Sequence, residues 1–590
     1  MIPYLLVVSA LFSATQAGQW NVMDYGAVAG PETDNTAAFQ RALDAAGASG
    51  GGLVAVPAGH YRLDGTISIP IAVTLQGTFH APPTDRQGED PKLDGSVLLA
   101  YAGRGDPAAA PFIRLTGSMA TLSGFIVAYP EWKESDVPPV PYPPTVYASG
   151  SINVAVLDCC FLNSYEALHF QDSHRFLVRN VYGYPSCRGL YVDNCLDIGR
   201  VENCHFWPFG INYGASAYTQ WINENGVAFE FARTDWQYVT NTFCFGYGIG
   251  YKFSTTKNGS CNGNFLGIGA DCCRRAVLVD TVPNTIDLLI TNGEFVGRWG
   301  SVDSVGVEII GQSDARVSLN NCAFWGPLDR AIWSRPLNAN LTVNACGFKD
   351  WDLGAQDSPA IQIDGGKAII QGNTFFLEGL HARVGEKAAS AIFTANQAPA
   401  GLRVINEAGS RTLMTANEVD TLEWPRGAAR NYGVWLGDLG DGRYVRGFHS
   451  KERARPWHEE GTMRWGGAKP RLVLPVDPGK EYSLTVDVFV PEQALDAQNG
   501  LYLGPKRIAE LPAKEGAALI SATIPPQEHT SVEIAVRAKA WFETSQGVTP
   551  NSARPLSVAV RRFTMKARRA PARMFDANRG GWIETADRVE

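Results

Sequence analysis

The sequence predicts an all-β protein: a right-handed parallel β-helix with an N-terminal capping helix, followed by a C-terminal β-sandwich-like domain. Three observations carry this. Two short apolar patterns alternate through the middle of the chain, a helix-and-strand segment precedes them, and past residue 425 the repeat gives way to longer alternating strands. At 590 residues the chain exceeds what one compact core usually holds, so two or more units are expected.

The first element is residues 1–17, MIPYLLVVSALFSATQA, whose apolar run Tyr4 to Phe12 and small residues Thr15 and Ala17 read as an export signal cleaved before Gly18. Its n-region has no Lys or Arg, which leaves a buried N-terminal segment as the alternative. No later run approaches the length a membrane span needs. Next, Asp34 can cap a helix whose Phe39, Ala42, Leu43 and Ala46 form one apolar face and whose end is marked by Gly47. A Gly-rich turn then leads to an alternating strand, Leu53 to Val56. Open solenoid ends need covering, and this helix is placed to cover one.

From residue 155 the two patterns take over. The first is small, aliphatic, any, apolar: Ala167–Phe170, Gly189–Val192, Gly226–Phe229, Gly248–Tyr251, Ala276–Val279, Gly306–Ile309, Ala331–Ser334, Ala360–Ile363 and Ala391–Thr394. The early copies stand about 22 to 37 residues apart, the period of one solenoid coil with variable loops. The second falls between them, as in Val201-Glu-Asn-Cys-His-Phe206 and Leu319-Asn-Asn-Cys-Ala-Phe324. Period-two alternation sends Cys159, Cys204, Cys322 and Cys346 to the side of the Phe two residues later, as an interior ladder. The Asn before the Cys suits a bend that tolerates a left-handed backbone.

The eleven cysteines are odd in number, all lie between Cys159 and Cys346, and include no CxxC pair. Stacked interior thiols explain them better than a metal site, with isolated disulfides left open. No metal site and no cofactor is read from the chain. A formal charge of −8 with 19% charged residues supplies no basic stripe for a phosphate backbone, so no nucleic acid partner is expected.

The stretches Asp24-Tyr-Gly-Ala27, Thr33-Asp-Asn-Thr-Ala-Ala-Phe-Gln40 and Val56-Pro-Ala-Gly-His-Tyr61 resemble the N-terminal signature of the pectate lyase superfamily, in its rhamnogalacturonase and epimerase-like branch. The match is close over residues 20 to 70 and loose to about 400. It implies the β-helix fold and, as alternatives, glycoside hydrolysis, polysaccharide elimination, uronate epimerisation or a tailspike-like role. The expected organisation is 1–17 signal peptide, 18–425 β-helix, 426–570 β-sandwich-like accessory domain and 571–590 tail. Leu484, Val486, Val488 and Val490 make one strand of the accessory domain, and Leu556, Val558 and Val560 another.

In the first pattern the aliphatic and apolar residues point inward, so an outward column reads His169, Gln171, Tyr191, Asp193, Glu230, Lys252, Asp280 and Glu308. Adjacent coils stand about 4.8 Å apart. Asp193 and Glu230 are then the preferred carboxylate pair, with Glu166 and Glu224 as further acids, because closely spaced carboxylates suit retaining hydrolysis and wider ones inversion. His169, Arg188, Tyr191 and Lys252 are expected to bind substrate or move protons, and Trp207 and Trp236 to stack on sugar rings. Relative to polygalacturonase-like hydrolases, Asn163-Ser-Tyr-Glu166 stands where the first acid belongs, while the Asp-Asp and Gly-His-Gly elements are missing. The alternative chemistry, abstraction of the proton α to a uronate carboxylate, would use Lys252 as base, Arg188 as carboxylate partner and Arg233, Arg274 and Arg275 around them. The first expectation is an exported glycoside hydrolase acting on a polysaccharide, secreted or periplasmic. A lyase or epimerase stands second, and a non-catalytic glycan-binding or adhesive protein third.

Overall fold

The computed structural model describes residues 18–80, 93–211, 213, 216–282, 287–299, 301–312, 315–419, 431–457, 460–542, 554–568 and 573–583. The expected signal peptide and the expected boundary at 425/426 lie outside the described residues. The chain forms two compact units, Met1–Ala270 with Asp280–Leu289, and Asp271–Val279 with Ile290–Glu590.

The first unit opens with helix α1 (Thr36–Ala48), whose Phe39, Ala42, Leu43 and Ala46 are fully buried, as the apolar stripe predicts. Its start differs in detail. Asn35 holds the cap position but turns its side chain to Val28 and Thr33, while Asp34 Oδ1 accepts from the Thr36 amide at 2.9 Å. Helix α1 covers the exposed edge of Ile67–Ile69 through Gln40, whose amide group both accepts from Ser68 N and donates to Ser68 O. An unpaired strand edge is thereby satisfied.

Parallel coils follow. The ladder that matters for function runs through β1 (Val146–Ser149), β2 (Glu166–Gln171), β3 (Arg188–Asp193), β4 (Val227–Phe231) and β5 (Ile249–Phe253). Register sets Tyr147, His169, Tyr191, Glu230 and Lys252 opposite one another in turn. The long step from β3 to β4 is thus one coil, enlarged by helix α2 (Ala217–Asn225), which the apolar pattern did not predict.

A second ladder carries the Asn-Cys-x-Phe pattern. Asp158, Asn180 and Asn203 sit at φ of 51°, 55° and 51°, the left-handed region that short amide side chains tolerate. Their side chains bond from coil to coil: Asn180 donates to Asp158 at 2.7 Å and Asn203 to Asn180 at 2.8 Å. The bend returns Cys and Phe to the interior, and Cys159, Cys204, Phe161 and Phe206 are buried. All eleven cysteines are free thiols, ten of them buried and Cys187 half-buried.

The second unit contains parallel strands of the same kind, with Arg275–Val279, Val305–Ile309 and Arg330–Ser334 in register. Two repeat copies sit differently from the sequence pattern: in the first unit Phe229 of the Gly226 copy pairs with Leu190 rather than Val192, and in the second a copy lies on another ladder. The rung after Ile361–Ile363 is Ala382–Val384, whereas Ala391–Thr394 pairs with Ala368–Gln371 on another ladder. Ala382–Thr394 runs as one strand through the corner at Gly385, where the register shifts, so spacing alone picks the wrong segment. Mostly antiparallel strands follow from Asn431, joined in an eleven-stranded sheet among the described residues, with Asn431–Trp435 and Met574–Asp576 pairing in parallel. Leu484, Val486, Val488 and Val490 are fully buried in Tyr482–Val490, as alternation predicts. The strand expected over Leu556 to Arg561 is instead broken into Pro555–Leu556 and Ala559–Ala567. Among the described residues no helix is long and apolar enough to cross a membrane.

Candidate active site

The site is built by the outward residues of β2 to β5, all in the first unit. In each strand one set of side chains fills the core, such as Leu168, Leu190, Phe229 and Tyr251, and the alternate set, His169, Tyr191, Glu230 and Lys252, leaves it, while Glu166 and Arg188 lie outside because two successive buried residues, Ala167-Leu168 and Gly189-Leu190, follow them. Stacking in register then converts scattered sequence positions into one cluster: Glu166 and His169 from β2, Arg188 and Tyr191 from β3, Glu230 from β4, Lys252 from β5.

Arg188 is its centre. Its Nη1 lies 3.5 Å from Glu230 Oε2, its Nε 4.0 Å from Glu166 Oε1, and its guanidinium carbon 4.3 Å from the Tyr191 ring centroid. Lys252 Nζ holds the other oxygen of Glu230 at 2.9 Å. The His169 ring meets Tyr147 and Tyr191 edge-on, with centroids 5.1 and 4.8 Å away, and so stands between two phenols. His169 Nδ1 and Glu166 Oε1 are 2.8 Å apart but poorly aligned, and neither atom has a hydrogen-bond partner. Solvent still reaches the cluster: the side chains of His169, Arg188 and Lys252 are 22%, 28% and 31% exposed.

The Tyr191 hydroxyl is pushed up to about 12 by burial, reinforced by the negative charges of Asp193 and Glu230. It therefore carries its proton at neutral pH and can donate it. Tyr165, in the loop before β2, is also pushed up to about 12 by burial, with Cys187 adding to it.

Asp193 takes no place in this cluster. Register sets Glu230 against Tyr191, and Asp193 is instead a buried strand-end knot that accepts from Arg233 N at 3.2 Å, Thr256 Oγ1 at 3.0 Å and Asn258 Nδ2 at 3.0 Å. The facing Asp193–Glu230 pair expected from the sequence is not formed, because the two residues differ by two positions along the ladder. Glu224 is exposed in the last turn of α2. Trp207 belongs to the other ladder, where its ring lies against Phe245 at 4.5 Å. Trp236 is 47% exposed just before Gln237–Phe245, again away from β2 to β5. Arg274 and Arg275 pair with Asp303 and Glu308 in the second unit, and Arg233 braces Asp193 through its backbone. Sequence reasoning missed Tyr147, whose signal was present: Val146-Tyr-Ala-Ser149 is an earlier rung of the same alternation.

The loop Tyr129 to Pro144 flanks the site. Tyr129 bonds Thr145 at 2.7 Å, Thr145 Oγ1 donates to Glu166 O, and Trp132 meets Tyr218 of α2 edge-on at 5.4 Å. Among the described residues no group of three or more His, Cys, Asp or Glu is arranged to hold a metal ion.

Comparison with known proteins follows the same line. Residues 19–93 match the family of rhamnogalacturonase A/epimerase, pectate lyase-like proteins. This N-terminal region is pectate lyase-like, as its motifs predict. The chain is 33% identical over 118 residues to mannuronan C5-epimerase AlgE3 of Azotobacter vinelandii, which is 18% of this chain and 6% of that protein. It is 49% identical over 91 residues to alginate lyase 7 of the same organism, 14% of this chain and 11% of the relative. The chain thus spans only a small part of the curated relatives it matches. Among solved structures, the tailspike of E. coli bacteriophage HK620 aligns over 93% of this chain and 94% of its own at 12% identity, with a TM-score of 0.45.

Proposed function

We propose that the first unit is an enzyme that performs acid–base chemistry at the carbon α to the carboxylate of a uronate residue in a polysaccharide, as a lyase or C5-epimerase. The observation that carries this reading is the Arg188 guanidinium, held between Glu166 and Glu230 and laid over Tyr191, with His169 against the same ring. Removing the α proton leaves negative charge on the uronate carboxylate, and a positioned cation is what stabilises it. Arg188 and Lys252 supply that charge. His169, whose Nδ1 lies 2.8 Å from Glu166 Oε1, accepts the proton. Tyr191, protonated at neutral pH, donates one, either to the departing glycosidic oxygen in elimination or back to carbon in epimerisation. The epimerase and lyase relatives support the same chemistry over the segments they share. The apolar run in residues 1–17 supports a secreted or periplasmic setting.

Glycoside hydrolysis, the first expectation from sequence, retains one supporting observation. Glu166 and Glu230 both reach Arg188, at 4.0 and 3.5 Å, so two carboxylates converge on one point, as hydrolysis requires. Against it, each carboxylate already faces a cation or an imidazole, whereas hydrolysis needs one of them to deliver a proton.

The test is a panel of uronate polysaccharides, mannuronan and polygalacturonate among them, read for unsaturated-uronate absorbance, reducing ends and C5 deuterium uptake from heavy water. Tyr191→Phe and His169→Gln are expected to lower the rate by about 10²- to 10⁴-fold with unchanged thermal unfolding. Reducing ends without absorbance or deuterium uptake, lost in Glu166→Gln and Glu230→Gln, would replace this reading with hydrolysis.

A further inference from the structure

The second unit holds a solvent-open cavity of about 520 Å³ that the chemistry above does not use. Ligand sites commonly run from about 300 to 1,000 Å³, so its size is that of a binding pocket. Six arginines line it, and four are neutralised: Arg383 by Glu407 at 3.0 Å, Arg464 by Asp441 at 2.6 Å, Arg471 by Asp357 at 2.9 Å and Glu533 at 3.1 Å, Arg554 by Glu452 at 2.7 Å.

Arg403 and Arg446 are different. Both donate through Nη1 to one carbonyl oxygen, that of Gly442, at 2.9 and 3.0 Å. Arg446 adds the carbonyls of Val445 and Arg443, and among the described residues neither guanidinium forms an ion pair with a carboxylate. Two like charges converge on one oxygen with most of their N–H groups unspent. Burial, then the neighbouring Arg446 charge, pushes Arg403 down to about 10.

The acids that line the cavity stand near these charges without pairing with them: Asp357 and Glu378 act on Arg403 through space, and Asp357 and Glu533 on Arg446, while Asp357 and Glu533 are themselves paired with Arg471. Both oxygens of Glu378 accept backbone amides, from Gly440 at 2.7 Å and Gly442 at 3.0 Å. Asp352 accepts from Gln356 N and Asp357 N, and burial pushes its carboxyl up to about 7. Asp350 accepts from Gly326 N and is shifted upward by burial. The remaining wall includes Trp299, 44% exposed, together with Phe448 and Ile405. Paired guanidiniums match an oxyanion in geometry and charge, and an exposed indole offers a face to a sugar ring.

We infer that this cavity is an ancillary binding site for an acidic saccharide, with Arg403 and Arg446 holding a carboxylate or sulfate group and Trp299 stacking on the ring that carries it. The site binds without reacting and does not depend on the chemistry assigned to the first unit.

The test is calorimetric titration of the full chain with oligogalacturonate, with a neutral galactose oligomer and with inorganic phosphate. Each is repeated on Arg188→Gln protein, so that binding at the first-unit cluster is read separately. Oligogalacturonate is expected to bind both proteins and the neutral oligomer neither. Arg446→Gln should weaken that binding at least tenfold with unchanged thermal unfolding, and Trp299→Ala should weaken uronate but not phosphate. Should Arg403→Gln fail to fold, these two variants still decide the matter. Absence of uronate binding to the Arg188→Gln protein, or binding indifferent to Arg446→Gln, overturns the site. Phosphate binding as tight as oligogalacturonate and a null effect of Trp299→Ala overturn the saccharide assignment.

Discussion

At the residue scale, alternation separates two acidic side chains that look equivalent on paper. Glu230 faces Arg188 and Lys252 across its own ladder, while Asp193 is turned onto three donors from the following coils. Asp193→Asn replaces an acceptor of three hydrogen bonds by a group that must also donate. It should cost about 1–3 kcal/mol of stability and leave the rate of the folded enzyme within about threefold. Thermal unfolding and turnover measured on the same sample check this, and a large loss of turnover at unchanged stability would return Asp193 to the chemistry. The ambiguity has a simple origin. Both acids lie in outward positions of the alternation, and only the loops that close over the strand end distinguish a knot from a reactive face.

At the element scale, a left-handed bend recurs from coil to coil, held by Asn at positions 180, 203, 241, 292 and 321. Asn203→Ala removes both the tolerance of φ 51° and the bond to Asn180, and should cost about 2 kcal/mol, whereas Asn203→Gly keeps the backbone conformation and should cost less. Ala345 occupies the same bend at φ 53°, one coil beyond Asn321, which itself donates to Asn292 at 2.8 Å. Ala345→Asn extends that ladder and relieves the alanine, so an increase of about 1 kcal/mol is expected in chemical denaturation. The bend was legible in the sequence because Asn recurs before Cys. Helix α2 was not, since its buried face of Tyr218, Thr219, Ile222 and Asn223 mixes polar and apolar residues and is recognised only by what it packs against.

At the scale of the whole molecule, stability is coupled to pH through buried histidines. His381 is fully buried, its Nδ1 accepting from Arg403 N at 2.8 Å and its Nε2 donating to Leu377 O at 3.0 Å. Burial pushes it down to about 4, so between pH 6.5 and 4 the unfolded chain takes up a proton that the folded one refuses. Its contribution is complete above pH 6.5 and is lost as pH falls toward 4, by at most about 3 kcal/mol. Asp352 and Asp271, pushed up to about 7 and about 6 by burial, act in the opposite sense, so the measurement is a difference. Urea unfolding at pH 7.5 and 4.5 should show the parent losing more stability, or gaining less, on acidification than His381→Gln does, and equal changes would remove His381 from the account.

By itself the sequence determined the repeat, the inward and outward faces of each coil, the capping helix and six of the residues that assemble the candidate site. These are local properties: side-chain alternation, apolar periodicity and the backbone tolerance of Asn and Gly are set within a few residues of each position. Only the tertiary structure decided which outward residues meet. Contact across a parallel ladder depends on register, and register depends on how much chain each coil loops out, which no local pattern encodes. That is why Glu166, His169, Arg188, Tyr191, Glu230 and Lys252 converge on one face while Asp193, two positions out of step with Glu230, is folded into the scaffold beside them.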